Sequence, residues 1–228
     1  DLNYKSAFFD RYSQISIGKL ITARTTDELV ENLKETEYYA PLKKIKDTDN
    51  VTLYDYNLAL DLYYYTSTWK EQKKILKKSD LELFMRDRGS KIDLLNIQWI
   101  YRAKKYYNMK PADIYLMLIP IHYKLSTELV KDMVEAPGVE EFENVVIRTT
   151  YARHYNFKQN LTMEQMYADC LHHLYTADRR KNPYSVSAIN TYLFLKEEEL
   201  KKLTTVMECV RYGLNPGETA AYIGGRTR

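Results

Sequence analysis

Cys170, His172 and His173 are the cluster in this 228-residue chain whose residue types best suit a metal ion. Cys170 and His173 stand three apart and would share a helix face, and His154 is a candidate for a third ligand. A structural zinc site needs four ligands at defined spacing, commonly from paired cysteines. One cysteine–histidine pair falls short of that set. The reading is a buried cysteine beside half-exposed histidines, with no metal and no cofactor assigned. Glu197, Glu198 and Glu199, followed by Lys201 and Lys202, offer acid–base groups. At i,i+4, Glu197–Lys201 and Glu198–Lys202 are ordinary helix pairs worth about 0.2–0.5 kcal/mol each, so a solvated helix face is expected there. Asp93 and Asn96 read as local hydrogen-bonding groups ahead of an apolar seam, not as attacking groups. The nearest approach to a phosphate-cradling loop, Ile17-Gly18-Lys19, has one glycine and no hydroxyl after the lysine. No catalytic residue is assigned.

Basic clusters at 70–78, Arg102–Lys105 and Arg179–Lys181 lie among tyrosines and could meet a nucleic acid by phosphate contact and stacking. The formal net charge is only +3, and acidic residues answer each cluster nearby. A nucleic-acid binder carries a stronger basic excess or stripe. A charged surface that meets a protein fits better. Two cysteines cannot build a disulfide framework, and a reducing compartment follows. The longest apolar run, Ile114–Ile121, is far short of the ~20 residues that span a bilayer. The expectation is a soluble, cytoplasmic protein that meets a membrane only from outside.

The elements that position these groups read as helices. Thr25 with Glu28 has capping-box spacing, and Leu29, Val30 and Leu33 follow on one face. Helices are expected over Asn57–Lys78 and Lys91–Tyr107, the latter with Leu94, Leu95, Ile97, Ile100, Tyr101 and Lys104 around its face. Thr162 with Gln165 is placed to open another helix. Asn182-Pro183 is placed to begin the longest one, running to Tyr212 with a seam of Val186, Ile189, Leu193, Leu200, Leu203, Met207 and Val210. Asn108 and Gly213 are the residue types that most readily close a helix in the left-handed conformation. Pro111 and Pro216 suit the first turn of the next helix. Seven Gly, six Pro and no strand alternation leave an all-α fold. Twenty-two tyrosines suit half-buried, interface-rich helix surfaces.

Two stretches are near copies. Thr26–Thr36 reads TDELVENLKET and Ser126–Ala136 reads STELVKDMVEA, while Tyr107–Pro111 returns as Tyr212–Pro216. The same order at offsets of 100 and 105 marks two tandem similar helical units, 1–120 and 121–228, with the boundary near Ile119–Lys124. By that offset the residues before Thr25 correspond to the tail of an earlier unit. The expectation is a chain whose first unit is missing.

Leu29–Tyr39 (LVENLKETEYY), Ile92–Ile97 through Arg102-Ala103-Lys104, Lys124-Leu125-Ser126, Asn190–Glu199 and Arg211–Leu214 recur in order over nearly the whole chain. Together they resemble the C subunit (d in eukaryotes) of V-type and A-type rotary ATPases. The resemblance implies an all-helical funnel of three similar units around a pseudo-threefold axis. It implies a non-catalytic rotor part on the cytoplasmic face of the proteolipid ring that sockets the D–F central shaft and transmits torque for proton or sodium transport. This chain has two units where the family has three. Arg102, Lys105 and Arg211, near the paired helix ends, are the candidate shaft contacts. A helical-repeat adaptor of another complex is the alternative, and an enzyme using Cys170 and His173 is a third reading.

Overall fold

The computed structural model describes residues 15–46, 51–76, 78–152, 163–181 and 183–223, and among them every regular element is a helix. In chain order these are α1 (Ile17–Ile21), α2 (Thr26–Asn32), α3 (Tyr39–Lys46), α4 (Leu53–Ile75), α5 (Lys78–Tyr107) and α6 (Pro111–Met117). Then follow α7 (Thr127–Glu135), α8 (Val139–Ile147), α9 (Met163–Lys181), α10 (Val186–Arg211) and α11 (Pro216–Tyr222). The all-α expectation holds. The start signals do their work locally: Thr25 Oγ1 accepts from the Glu28 N–H at 3.1 Å, and Ser126 Oγ accepts from the Leu129 N–H at 3.1 Å. The Glu28 carboxylate reaches back to the Arg24 N–H at 2.9 Å, one residue before the cap. A reciprocal capping box closes instead at Asn215 and Glu218. Pro111 and Pro216 each sit in a first helical turn. Asn108 and Gly213 both take positive φ, 46° and 72°, and so close α5 and α10.

Several boundaries differ from expectation. α5 starts at Lys78, not Lys91, and with 30 residues it is the longest described helix, ahead of the 26 residues of α10. The earlier turns were hidden because Arg86–Ser90 (RDRGS) breaks the apolar period, although Asp87, Gly89 and Ser90 are buried. α10 starts at Val186, where Ser185 is the N-cap and accepts from the Ser187 N–H at 3.2 Å; Pro183 lies outside the helix. Asn182, Thr162 and His154 lie outside the described residues.

The chain divides into two compact units between Thr68 and Trp69, inside α4. In the first, Val30, Leu33 and Leu42 form a small core, closed by half-buried Ile15, Leu20, Tyr38, Tyr39, Tyr56 and Leu60. In the second, α5 is the axis, and α7, α8, α9 and α10 all pack against it. Ile97, Ile100, Ile114, Met133, Phe142 and Val146 there are fully buried. Each such side chain contributes about 1.5–3 kcal/mol of burial free energy. The proposed boundary between sequence repeats, at 120/121, falls within this second unit.

Candidate partner-binding surface

Gly89, Asp93, Asn96, Ile100 and Lys104 recur at spacings of three and four, so they form one stripe along α5. That stripe holds the non-helical linker between α6 and α7. Asn96 Nδ2 donates to the Ile119 carbonyl at 3.0 Å, and its Oδ1 accepts from the Ile119 N–H at 3.0 Å. Asp93 accepts from the N–H groups of Tyr123, Lys124 and Leu125 at 3.0, 2.7 and 3.2 Å, and from the Tyr151 hydroxyl at 2.7 Å. Four donors occupy the carboxylate, so it is a structural clamp and presents nothing for attack on a substrate. Burial pushes the Asp93 carboxyl above its ordinary pKa, and the four donors pull against that shift. The Tyr151 hydroxyl is also pushed up, chiefly by burial and then by the Asp93 charge. A Cβ on Gly89 would stand 2.5 Å from Tyr123 Cγ, so this glycine is required for the linker's close approach.

At the other end of the stripe, Lys104 Nζ donates to the carbonyls of Val134 and Ala136, both at 2.6 Å. These are the open carbonyls at the end of α7, where a cation is favoured by unsatisfied acceptors and the helix dipole. Half-burial lowers the Lys104 pKa. Lys104 thus ties α5 to α7 and is no free basic group.

The three candidate contacts lie on two helices. Arg102 and Lys105 stand on the last turns of α5, and Arg211 is the final residue of α10. All three are exposed. The Lys105 ammonium donates to the Tyr101 hydroxyl and lies 4.9 Å from the Tyr101 ring centroid and 5.5 Å from that of Tyr106. A partner that engages Lys105 therefore meets an amine already held among tyrosines. The helix ends also expose Tyr106, Tyr107 and Tyr212. The end of α5 offers charge, hydroxyls and ring faces together, the composition of a wet protein–protein contact.

The other chemical candidates resolve into local structure. Cys170 is half-buried, its Sγ 4.0 Å from the Tyr151 carbonyl, and His172 and His173 are exposed. Among the described residues no group of three or more His, Cys, Asp or Glu converges as a metal site would. Lys201 pairs with Glu197 at 3.3 Å as expected, but Glu198 also turns to Lys201, at 3.3 Å, and not to Lys202. Lys196 pairs with Glu199 at 2.6 Å. Of the basic run at 179–181 only the Arg180 side chain is described, and it is exposed.

The seam of α10 faces outward, contrary to expectation. Ser187, Thr191, Phe194 and Cys209 form its buried face, while Ile189, Leu193, Leu200, Leu203, Met207 and Val210 are exposed. Thr191 explains the inversion: its Oγ1 donates to the Tyr175 carbonyl of α9 at 2.8 Å, with the Ser187 carbonyl at 2.7 Å. Small hydroxyl residues let the backbones approach closely and leave the larger apolar row outside. Sequence reasoning also missed Gly89, Tyr151 and the capping role of Lys104. An isolated glycine within a helix was the available signal for the first.

Among the described residues no helix is long and apolar enough to cross a membrane. A family model described as ATP synthase (C/AC39) subunit matches residues 2–222. The A-type ATP synthase C subunit of Methanosarcina mazei is 31% identical over 140 residues, covering 61% of this chain and 37% of the relative. Its counterpart from Methanosarcina barkeri is 25% identical over 90% of this chain and 56% of its own. That from Pyrococcus abyssi is 24% identical over 91% and 57%. The chain thus spans from about a third to little more than half the length of these relatives. No solved structure matches it.

Proposed function

The chain belongs to the ATP synthase (C/AC39) subunit family, and on that premise we propose that it is a non-catalytic rotor part of a V-type or A-type ATPase. In this reading it joins the D–F central shaft to the membrane proteolipid ring and carries torque between them, peripheral on the cytoplasmic face. The observation that carries the proposal is the family match along residues 2–222. The structure supplies a physical reason why such a part could serve. A torque coupling must resist twisting, and α5 is a 30-residue helix with four other helices packed on it. Its linker is held by hydrogen bonds to two side chains, Asp93 and Asn96, and to Tyr151 through Asp93. Two tandem units, 1–120 and 121–228, joined at that clamped linker, belong to the same reading. Arg102, Lys105 and Arg211 are the proposed shaft contacts, where exposed positive charge lies among tyrosines.

Titration calorimetry against a purified D–F pair tests this. Wild-type protein should bind, and the triple charge reversal Arg102→Glu, Lys105→Glu, Arg211→Glu should weaken binding at least tenfold while the thermal unfolding curve stays in place. Equal affinity in the triple variant removes these residues from the contact. Wild-type protein that binds neither D–F nor isolated proteolipid ring sinks the proposal.

A further inference from the structure

Within α4, residues 63–69 (YYYTSTW) are without exception weaker helix formers than alanine or leucine. The stretches on either side, 58–62 and 70–74, consist mostly of strong ones. Three hydroxyls in the run turn back on the helix. Thr66 Oγ1 donates to the Leu62 carbonyl at 2.7 Å, with the Tyr63 carbonyl at 3.2 Å. Ser67 Oγ donates to the Tyr64 carbonyl at 3.3 Å. Thr68 Oγ1 donates to the same carbonyl at 2.6 Å, with that of Tyr65 at 3.3 Å. The successive carbonyls of Leu62, Tyr63, Tyr64 and Tyr65 thus meet a hydroxyl besides the backbone N–H of the helix ladder. Hydroxyls bonded in this way compete with the ladder and bend helices. Within the other described helices such bonds come from isolated residues, Thr176, Thr191 and Thr205.

We propose that residues 64–69 form a compliant joint within α4, a stretch of helix that opens and bends before the turns on either side of it. The division of the chain into two units falls between Thr68 and Trp69, inside this same run. The two ends of α4 are fastened separately. Before the joint, Tyr56 and Leu60 pack on the core of the first unit, and the Tyr63 hydroxyl donates to the Glu37 carboxylate at 2.8 Å. Beyond it, Gln72 is buried. Weak helix propensity, shared carbonyls and the unit boundary are three independent features of sequence, hydrogen bonding and packing. They coincide within one helix of 23 residues. A segment of low local stability opens without unfolding its neighbours. The joint is a property of α4 and holds whether or not the chain serves as a rotor part. In such a part it lets α4 yield under load while α5, with its clamped linker, keeps its packing.

Hydrogen exchange of the full chain, read amide by amide, tests the joint. In the helix ladder the amides of Thr66, Ser67, Thr68 and Trp69 bond the carbonyls that the hydroxyls share. Corrected for intrinsic rates, their protection should be about tenfold lower than that of the amides at 60–62 and 71–73. The triple variant Thr66→Ala, Ser67→Ala, Thr68→Ala removes the hydroxyls and raises helix propensity. It should raise protection at 66–69 about tenfold and leave α5 and α10 unchanged. Thr66→Val with Thr68→Val keeps both side-chain shapes and removes only hydroxyls, so protection there should rise about threefold. A wild-type chain whose amides at 66–69 are as protected as their flanks overturns the proposal. So does an alanine variant with unchanged α5 and α10 that keeps the same low protection at 66–69, or a valine pair that brings no rise. None of these outcomes bears on the rotor role, because no partner takes part in the measurement.

Discussion

The helices α2 and α7 come from near-identical sequence, and they are held in place by different means. Each starts on a hydroxyl cap, buries a valine (Val30, Val130) and buries the residue three further on (Leu33, Met133). The divergence begins at the next position. Lys34 is exposed, whereas Val134 is fully buried, so one copy turns a single apolar edge inward and the other a broad one. Asn32 and Asp132 occupy the same place in the repeat. Asn32 donates its amide to the Lys19 carbonyl at 3.0 Å, while Asp132 pairs with Arg148 at 2.7 Å. α7 also receives the Lys104 cap at its end, whereas α2 is followed by a Leu33–Thr36 turn closed by its own Thr36 hydroxyl at 2.7 Å. A repeat conserves the way a helix begins; its neighbours decide how firmly it is anchored.

Core truncation should separate the two copies most. Met133→Ala removes a fully buried side chain from the large core and should cost about 3–5 kcal/mol. Leu33→Ala, at the edge of a core of three buried residues, should cost about 2 kcal/mol at most. Denaturant titrations and hydrogen exchange at the α2 and α7 amides measure both. Equal losses would mean that the small core is as well supported as the large one.

The second effect in size concerns the clamp before α7. Asp93→Asn replaces one acceptor oxygen with an NH2 that faces N–H donors, and should cost about 3 kcal/mol at neutral pH. The pH dependence has a definite sign. The folded-state pKa of Asp93 lies above its unfolded value. Between those values the unfolded chain loses its proton first, so the contribution is full below the unfolded pKa and declines as pH rises through the folded one. The stability difference between wild type and Asp93→Asn should therefore shrink as pH is raised across that window, then level off. A difference that grows over the same window would mean that the four donors outweigh burial.

These contrasts explain what could be read from residues alone. Caps, prolines at first turns and left-handed closers act over four to six residues, and Thr25, Ser126, Asn108, Gly213, Pro111 and Pro216 all sit where local chemistry requires. Asp93 and Asn96 were legible as hydrogen-bonding groups, but their partners stand 23 to 58 residues away. Apolar spacing misled at α10, because period identifies a face and not the direction in which it points. There the hydroxyls of Ser187 and Thr191 took the inner side. The outer turns of α5 were lost for the opposite reason: buried Asp87 and Ser90 look like surface residues to any hydrophobic pattern. Arg102, Lys105 and Arg211 were singled out by their place near the paired helix ends, a signal that carries no contact chemistry of its own.

The smallest expected effect is also the strictest test of the repeat. Thr25→Ala and Ser126→Ala each delete one side-chain oxygen that accepts from a backbone N–H in the first turn of its helix, both at 3.1 Å. Both caps lie on exposed backbone, so the freed N–H can turn to water, and each loss should be about 1 kcal/mol. The caps differ in one respect. Glu28 adds a second tie at the start of α2 by accepting from the Arg24 N–H, while Leu129 stands where α7 would need an acceptor at the capped position. If caps act purely locally, the two losses agree within a few tenths of a kcal/mol, and Thr25→Ala is the milder because Glu28 still holds the first turn. Hydrogen exchange at the Glu28 and Leu129 amides reads each cap directly. A loss at Ser126 several times that at Thr25 would show that the clamped linker before α7 transmits the missing cap into the core, and the copies would then differ even at their starts.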